Sequence, residues 1–322
     1  MSTKIKKLTI DNLFGYTNID WELKDVNVLV GKNGLGKSTI LRLISTALTQ
    51  EPIDDELKLC DKVNVEFDNG DSTFATSKFN LPDDIFKKAL KEFIDSNELE
   101  KQLLNKLEKS QRKNFALLKD KIRLELTQNL AKQDLNLDKI ESYQFKKNKN
   151  KYNTEFISTV NMSANSINSI RTSDGRISNF LDFEIKNELE RLLSKNASLQ
   201  EDLIDSLNFF FKESQKTVEI LDNNLIINLK NSESIKYKNL SSGERQIIYI
   251  FLKVINANTN NSIILMDEPE ISLHLSWQES LLSQIRKVNK NSQIIIVTHS
   301  PAIVMNGWMD SFIDIKDIIS ES

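Results

Sequence analysis

The sequence predicts an α/β fold: a mixed sheet flanked by helices, a small antiparallel sheet beside it, and an inserted helical lobe. Three observations carry that expectation. Apolar runs at Val26–Val30, 262–266 and Gln293–Thr298 have the unbroken hydrophobicity of strands buried on both faces. A glycine-rich segment, GKNGLGKST at 31–39, joins the first run to apolar residues at helical spacing over 39–48. Between 82 and 151 glycine is absent and apolar residues such as Phe86, Leu90, Phe93, Leu103, Leu104 and Leu107 recur at helical spacing.

The glycine-rich segment supplies the first chemistry. Gly31, Gly36, Lys37 and Ser38 fit G-x-x-x-x-G-K-[ST], and a strand before with a helix after is the context that motif needs. Glycines let the backbone curl until its N–H groups face phosphate oxygens, and the helix N-terminus adds partial positive charge. Lys37 would reach the β- and γ-phosphates of ATP, and the Ser38 hydroxyl would hold Mg²⁺. Asn33, Gly34, Gly36, Lys37, Ser38 and Thr39 are the candidate nucleotide-binding residues of this half.

The second apolar run empties into Asp267 and Glu268, a layout that suits Mg²⁺-dependent phosphoryl transfer. Asp267 would hold the metal and Glu268 would polarise the attacking water; the plainer reading is an acidic strand-to-turn exit. The third run ends at His299, one of two histidines. On a parallel sheet its imidazole would lie on the same edge as Lys37 and Asp267 and could contact the γ-phosphate; the alternative is a satisfied loop histidine. His274 could face a partner subunit or cap the next helix.

Together these segments resemble the ABC-type ATPases, on the SMC and RecF-like branch. The P-loop at 31–39, the opening strand and turn at 5–15, LSSGERQ at 240–246 and DEPEISLH at 267–274 carry the resemblance. It implies a P-loop ABC-ATPase head that converts ATP and water to ADP and phosphate. Ser241 and Gly243 match signature positions that touch the γ-phosphate held by the other protomer, so an ATP-sandwich homodimer or higher oligomer is implied. Ser242 departs from the usual glycine. Ile271 to Leu275 match the D-loop and His299 the switch histidine. The run at 267–274 is similar to bacterial antiphage-defence ATPases, namely the overcoming-lysogenization-defect, Septu-type and retron-associated groups, which are paired with nuclease or toxin effectors. The family's glutamine beside Mg²⁺ has no convincing match; Gln144 is the nearest candidate.

The organisation expected is an N-terminal half of the head at 1–81, a helical insertion at 82–151, and a C-terminal half at 152–322 with a helical subdomain at 180–218. Segments 63–67 and 72–79 read as a hairpin turning at Asn69 and Gly70. Segments 152–162 and 225–229 read as strands, and 165–179 as polar turn with Arg171 and Arg176 as candidate phosphate contacts. Phe209, Phe210 and Phe211 read as a packed cluster, or as a docking surface.

A net charge of −3 gives no global pull toward nucleic acid. The insertion, however, carries 17 Lys and Arg against 12 Asp and Glu, with Lys146, Lys147, Lys149 and Lys151 at its end. It reads either as a face for nucleic acid or an acidic partner, or as an ordinary solvated surface. One cysteine, Cys60, excludes an internal disulfide and a cysteine zinc cluster. No run of about 18 apolar residues and no signal pattern exist, so a cytoplasmic protein without membrane contact is expected. The leading expectation is a nucleotide-gated switch for a separate effector. A RecF-like DNA-binding ATPase in repair, without effector, is the alternative, and a transporter motor the third.

Overall fold

The computed structural model describes residues 4–51, 55–76, 144–145, 152–159, 169–171, 177–258 and 262–321. The chain divides into a main unit, 1–76 with 145–322, and a second unit, 77–144. The helical repeats expected over 82–151 and the lysines at 146–151 lie outside the described residues, as does Arg176.

The main unit is built on a five-stranded parallel sheet. Its strands are β3 (Val26–Val30), β7 (Asn153–Ser158), β13 (Ser262–Asp267), β14 (Gln293–Thr298) and β15 (Phe312–Asp314), in the order β15-β3-β14-β13-β7. Every residue of β13 and β14 is buried, as unbroken apolar runs require of strands covered on both faces. Side chains two apart share a face. Val28, Ile264, Met266, Ile294 and Ile296 belong to one core with the helices α2 (Phe180–Leu193), α3 (Ala197–Phe211), α4 (Ser242–Asn256) and α5 (Leu275–Val288). Their alternates Leu29, Ile263, Leu265, Ile295 and Val297 are equally buried and face the other way, where α1 (Lys37–Thr49) packs on β13 and β14. Each such side chain contributes about 1.5–3 kcal/mol on burial.

Helix α1 also packs on β4 (Lys62–Phe67) and β5 (Ser72–Thr76) of a second, antiparallel sheet. That sheet runs β16-β2-β1-β4-β5 with β6 at its edge, where β1 is Ile5–Leu13, β2 Thr17–Glu22, β6 Gln144–Phe145 and β16 Ile319–Glu321. Covered on two sides, α1 buries Ile40, Leu41, Leu43, Ile44, Ala47 and Leu48. Gln293 stitches the two sheets. Its side-chain amide accepts from Ile5 N–H at 2.7 Å and donates to Ile5 C=O at 2.8 Å. The expected hairpin is present, turning where Gly70 takes φ 83°. The α/β expectation is borne out, with parallel and antiparallel strands sorted into separate sheets.

Smaller elements differ from expectation. Segment 165–179 contains a short hairpin of β8 (Ser169–Arg171) and β9 (Ile177–Asn179) rather than turn alone. The strand expected at 225–229 is β11 (Asn224–Asn228), between β10 (Thr217–Leu221) and β12 (Ser234–Lys236) in a three-stranded sheet. Of the three phenylalanines, Phe210 and Phe211 are buried, one edge-on and one tilted against Trp277, while Phe209 is about half exposed at 48 %. Cys60 is buried, and burial pushes its thiol up to about 12. Among the described residues no helix is long and apolar enough to cross a membrane.

A largely buried charge cluster ties α2, α4 and β7 together. Lys253 Nζ lies 3.0 Å from Glu155, 3.1 Å from Glu188 and 3.6 Å from Glu184. Burial alone would depress this ammonium, but Tyr249, Glu155 and Glu188 hold it above its ordinary value. Lys253→Met removes the shared cation and leaves two largely buried carboxylates close together. Stability should fall by about 3 kcal/mol in urea unfolding; a loss below about 1 kcal/mol would contradict this account of the cluster.

Candidate functional site

Because β3, β13, β14 and β7 are parallel, their carboxyl ends share one edge, with Thr298 opposite Val30 and Asp267 opposite both Val297 and Ser158. The turn after β3 runs from Gly31 into α1. Gly34 and Gly36 take φ 81° and 83°, a conformation that favours glycine. A Cβ on Gly36 would stand 2.6 Å from the Phe14 ring, so packing excludes it as well. Helix α1 starts at Gly36 with no side-chain cap and no acidic residue in its first turn. Its leading N–H groups are therefore available to an anion. Asn33 and Gly34 are exposed, while Lys37 is buried, with Nζ donating to Gly31 C=O at 2.8 Å and Lys32 C=O at 3.1 Å. Burial lowers the Lys37 pKa, against the pull of Glu268, Asp267 and Glu270. Thr39 follows Ser38 in the same turn.

Ser38 Oγ donates to Asp267 Oδ1 at 2.7 Å. Asp267 is fully buried, and its Oδ2 has no hydrogen-bond partner. Burial raises its pKa, and the Ser38 hydrogen bond works the other way. A hydroxyl and an orphaned carboxylate oxygen side by side are hard oxygen donors that fit Mg²⁺. Among the described residues no cluster of three or more acidic, cysteine or histidine side chains is placed to hold a metal. A cation here would thus complete its shell from phosphate and water.

One residue on, Glu268 takes φ 49° and turns its side chain back so that Oε1 lies 2.8 Å from His299 Nε2. Lys37 Nζ is 3.1 and 3.3 Å from the two ring nitrogens of His299. The His299 ring thus lies between the Lys37 ammonium and the Glu268 carboxylate. The carboxylate of Glu270 faces inward instead. Its Oε1 accepts from the Thr298 hydroxyl, from His299 N–H at 3.1 Å and from Ser300 N–H at 3.3 Å. Burial raises its pKa, opposed by those hydrogen bonds. Glu270 therefore holds the backbone that carries His299, a role that local sequence did not suggest.

A cavity of about 460 Å³ is lined by residues 30–33, Leu35, His299, Asp314 and Lys316. Asp314 ends β15 and Lys316 lies in the turn after it; neither was anticipated. Ile315 between them packs so closely on the P-loop that a Cβ on Gly31 would meet its Cγ2 at 2.5 Å. Ser241 and Gly243 do not line this cavity. Ser241 caps α4 in a reciprocal box: its hydroxyl accepts from Glu244 N–H, and Glu244 Oε2 accepts from Ser241 N–H at 3.0 Å. Burial works against the Glu244 carboxylate, but Lys216 at 2.6 Å and Ser241 hold its pKa below the ordinary value. The S-x-x-E spacing of this box was present in the sequence. Gly243 abuts Ser272 C=O, which a Cβ would approach to 2.5 Å, and Gln246 Nε2 donates to Pro269 C=O at 3.0 Å. These contacts bolt the start of α4 onto the acidic turn. His274 occupies the N-cap position of α5 without a capping bond, its Nδ1 3.1 Å from Ser276 Oγ, with exposed Ile271 and Leu275 nearby. Gln144 falls in the second unit and Arg171 in β8.

Glu270→Ala strips an acceptor from three donors and should cost about 2–3 kcal/mol in thermal or urea unfolding. Glu270→Gln keeps an acceptor at Oε1 and should cost under about 1 kcal/mol. Equal losses in the two variants would refute the positioning role.

The chain is 25% identical over 326 residues to Septu protein PtuA of Bacillus thuringiensis, covering 96% of this chain and 75% of that protein. It is 24% identical over 351 residues to the "Retron Vc95 probable ATPase" of Vibrio cholerae serotype O1 biovar El Tor, covering 87% and 67%. An SMC head domain from Thermotoga maritima aligns over 94% of this chain and 92% of its own, at 13% identity and a TM-score of 0.46. The family model described as "AAA domain, putative AbiEii toxin, Type IV TA system" matches residues 26–306, from β3 through the P-loop, signature, acidic turn and His299. The chain belongs to this family of AAA domains.

Proposed function

We propose that the protein is an ATP-binding and ATP-hydrolysing switch that dimerises around nucleotide and controls a separate effector, a nuclease or toxin, in bacterial antiphage defence. The convergence of Lys37, Ser38, Asp267, Glu268 and His299 on one sheet edge carries the reading. The uncapped start of α1 and the P-loop N–H groups receive the phosphates, and Lys37 swings from the carbonyls of Gly31 and Lys32 to the β- and γ-oxygens. Ser38 and Asp267 would hold Mg²⁺, which would supply neutralising positive charge for phosphoryl transfer. Glu268 orients the attacking water and takes its proton. His299, bonded to that carboxylate and set beside Lys37, senses the γ-phosphate.

Support for the dimer comes from the signature. Ser241 is exposed, and neither it nor Gly243 lines the cavity beside the P-loop of the same chain. A second copy brings the exposed Ser241 to the γ-phosphate, with Gly243 buried behind it and exposed Ile271 and Leu275 at the contact. Nucleotide state then becomes a shape change, since two copies are held together only while both touch the phosphate. Support for an effector and a defence role comes from the relatives, a Septu protein and a retron ATPase by name.

Glu268→Gln should bind ATP, hydrolyse it at least about 100-fold more slowly, and accumulate as a dimer with Mg·ATP in light scattering. No more dimer than the unsubstituted protein shows would overturn the sandwich.

A further inference from the structure

We infer that Thr159 is a positioning residue that locks the backbone of Glu268 in the conformation hydrolysis requires. The inference rests on the proposed role of Glu268 as the residue that activates water. Thr159 directly follows β7 and is 3 % exposed. Its N–H extends the parallel ladder by donating to Asp267 C=O at 3.3 Å, and its hydroxyl donates to Glu268 C=O.

Glu268 needs such a lock. At φ 49° it occupies the left-handed region, which is unfavourable for a residue with a side chain and persists only where surroundings over-determine it. Two neighbouring strands supply the determination. On one side Glu268 N–H donates to Val297 C=O of β14 at 2.9 Å; on the other its C=O accepts from Thr159. With both peptide groups held, the residue cannot relax to an extended or right-handed conformation without breaking a bond. Its Oε1 therefore stays 2.8 Å from His299 Nε2. The Val297 bond is made by backbone and survives any substitution there. The Thr159 hydroxyl is a side chain, so this half of the lock can be removed alone.

Thr159→Val keeps the branched shape and deletes the hydroxyl. It should lower kcat for Mg·ATP hydrolysis about tenfold or more and leave the Kd for ATP within about twofold of the unsubstituted value. Thr159→Ser restores the donor and should bring kcat back to within about threefold. Three results would overturn the inference: Thr159→Val turning over at the unsubstituted rate, Thr159→Ser as slow as Thr159→Val, or ATP affinity lost together with kcat. Glu268→Gln assayed in parallel separates the two ideas. If it hydrolyses ATP normally, the role of Glu268 fails and Thr159 falls with it. If it is inactive while Thr159→Val is fully active, the Thr159 lock alone fails.

Discussion

The parallel register of β3, β14, β13 and β7 is the constraint on which the rest of the molecule depends. It sets Val30, Thr298, Asp267 and Ser158 along one edge, so that the segments leaving these strand ends meet one another. The P-loop, His299, the acidic turn and Thr159 are dispersed along the chain, and this ladder brings them together. Continuous burial of β13 and β14 makes the register costly to change, since a slip would drag polar strand-end residues into an apolar core.

The acidic turn shows how one backbone choice divides labour among three carboxylates. Asp267 ends the strand and stays in the sheet edge beside Ser38. The left-handed turn at Glu268 sends its side chain toward His299, and Glu270 then points inward to hold the His299 backbone. Burial raises the pKa of both Asp267 and Glu270. Helix α4 is anchored to the same turn through Gln246 and Gly243, so displacement at this sheet edge has a direct route into α4.

Much of this was legible in the sequence. Unbroken apolar runs marked the buried strands, and the P-loop spacing named Lys37 and Ser38, because each signal is local. Three consecutive phenylalanines could not all share a core, since helix residues step about 100° apart and Phe209 is carried outward. The roles proposed for Thr159 and Glu270 were not legible, because their partners lie on other strands and no spacing records them. The sequence shows an acidic turn, but which carboxylate faces inward depends on the φ of Glu268. Asp314 and Lys316 were missed because β15 spans three residues, too few for a periodic pattern.

The central claim is that the phosphate half of the site and the signature half belong to different copies of the chain. Mixing two inactive variants tests it most directly. Lys37→Ala disables the P-loop and Ser241→Arg disables the signature; a mixed dimer retains one intact pairing of Lys37 from one copy with Ser241 from the other. The account predicts that each variant alone fails to hydrolyse Mg·ATP and that the mixture regains activity. A mixture as inactive as its components, although the two proteins associate, would contradict it.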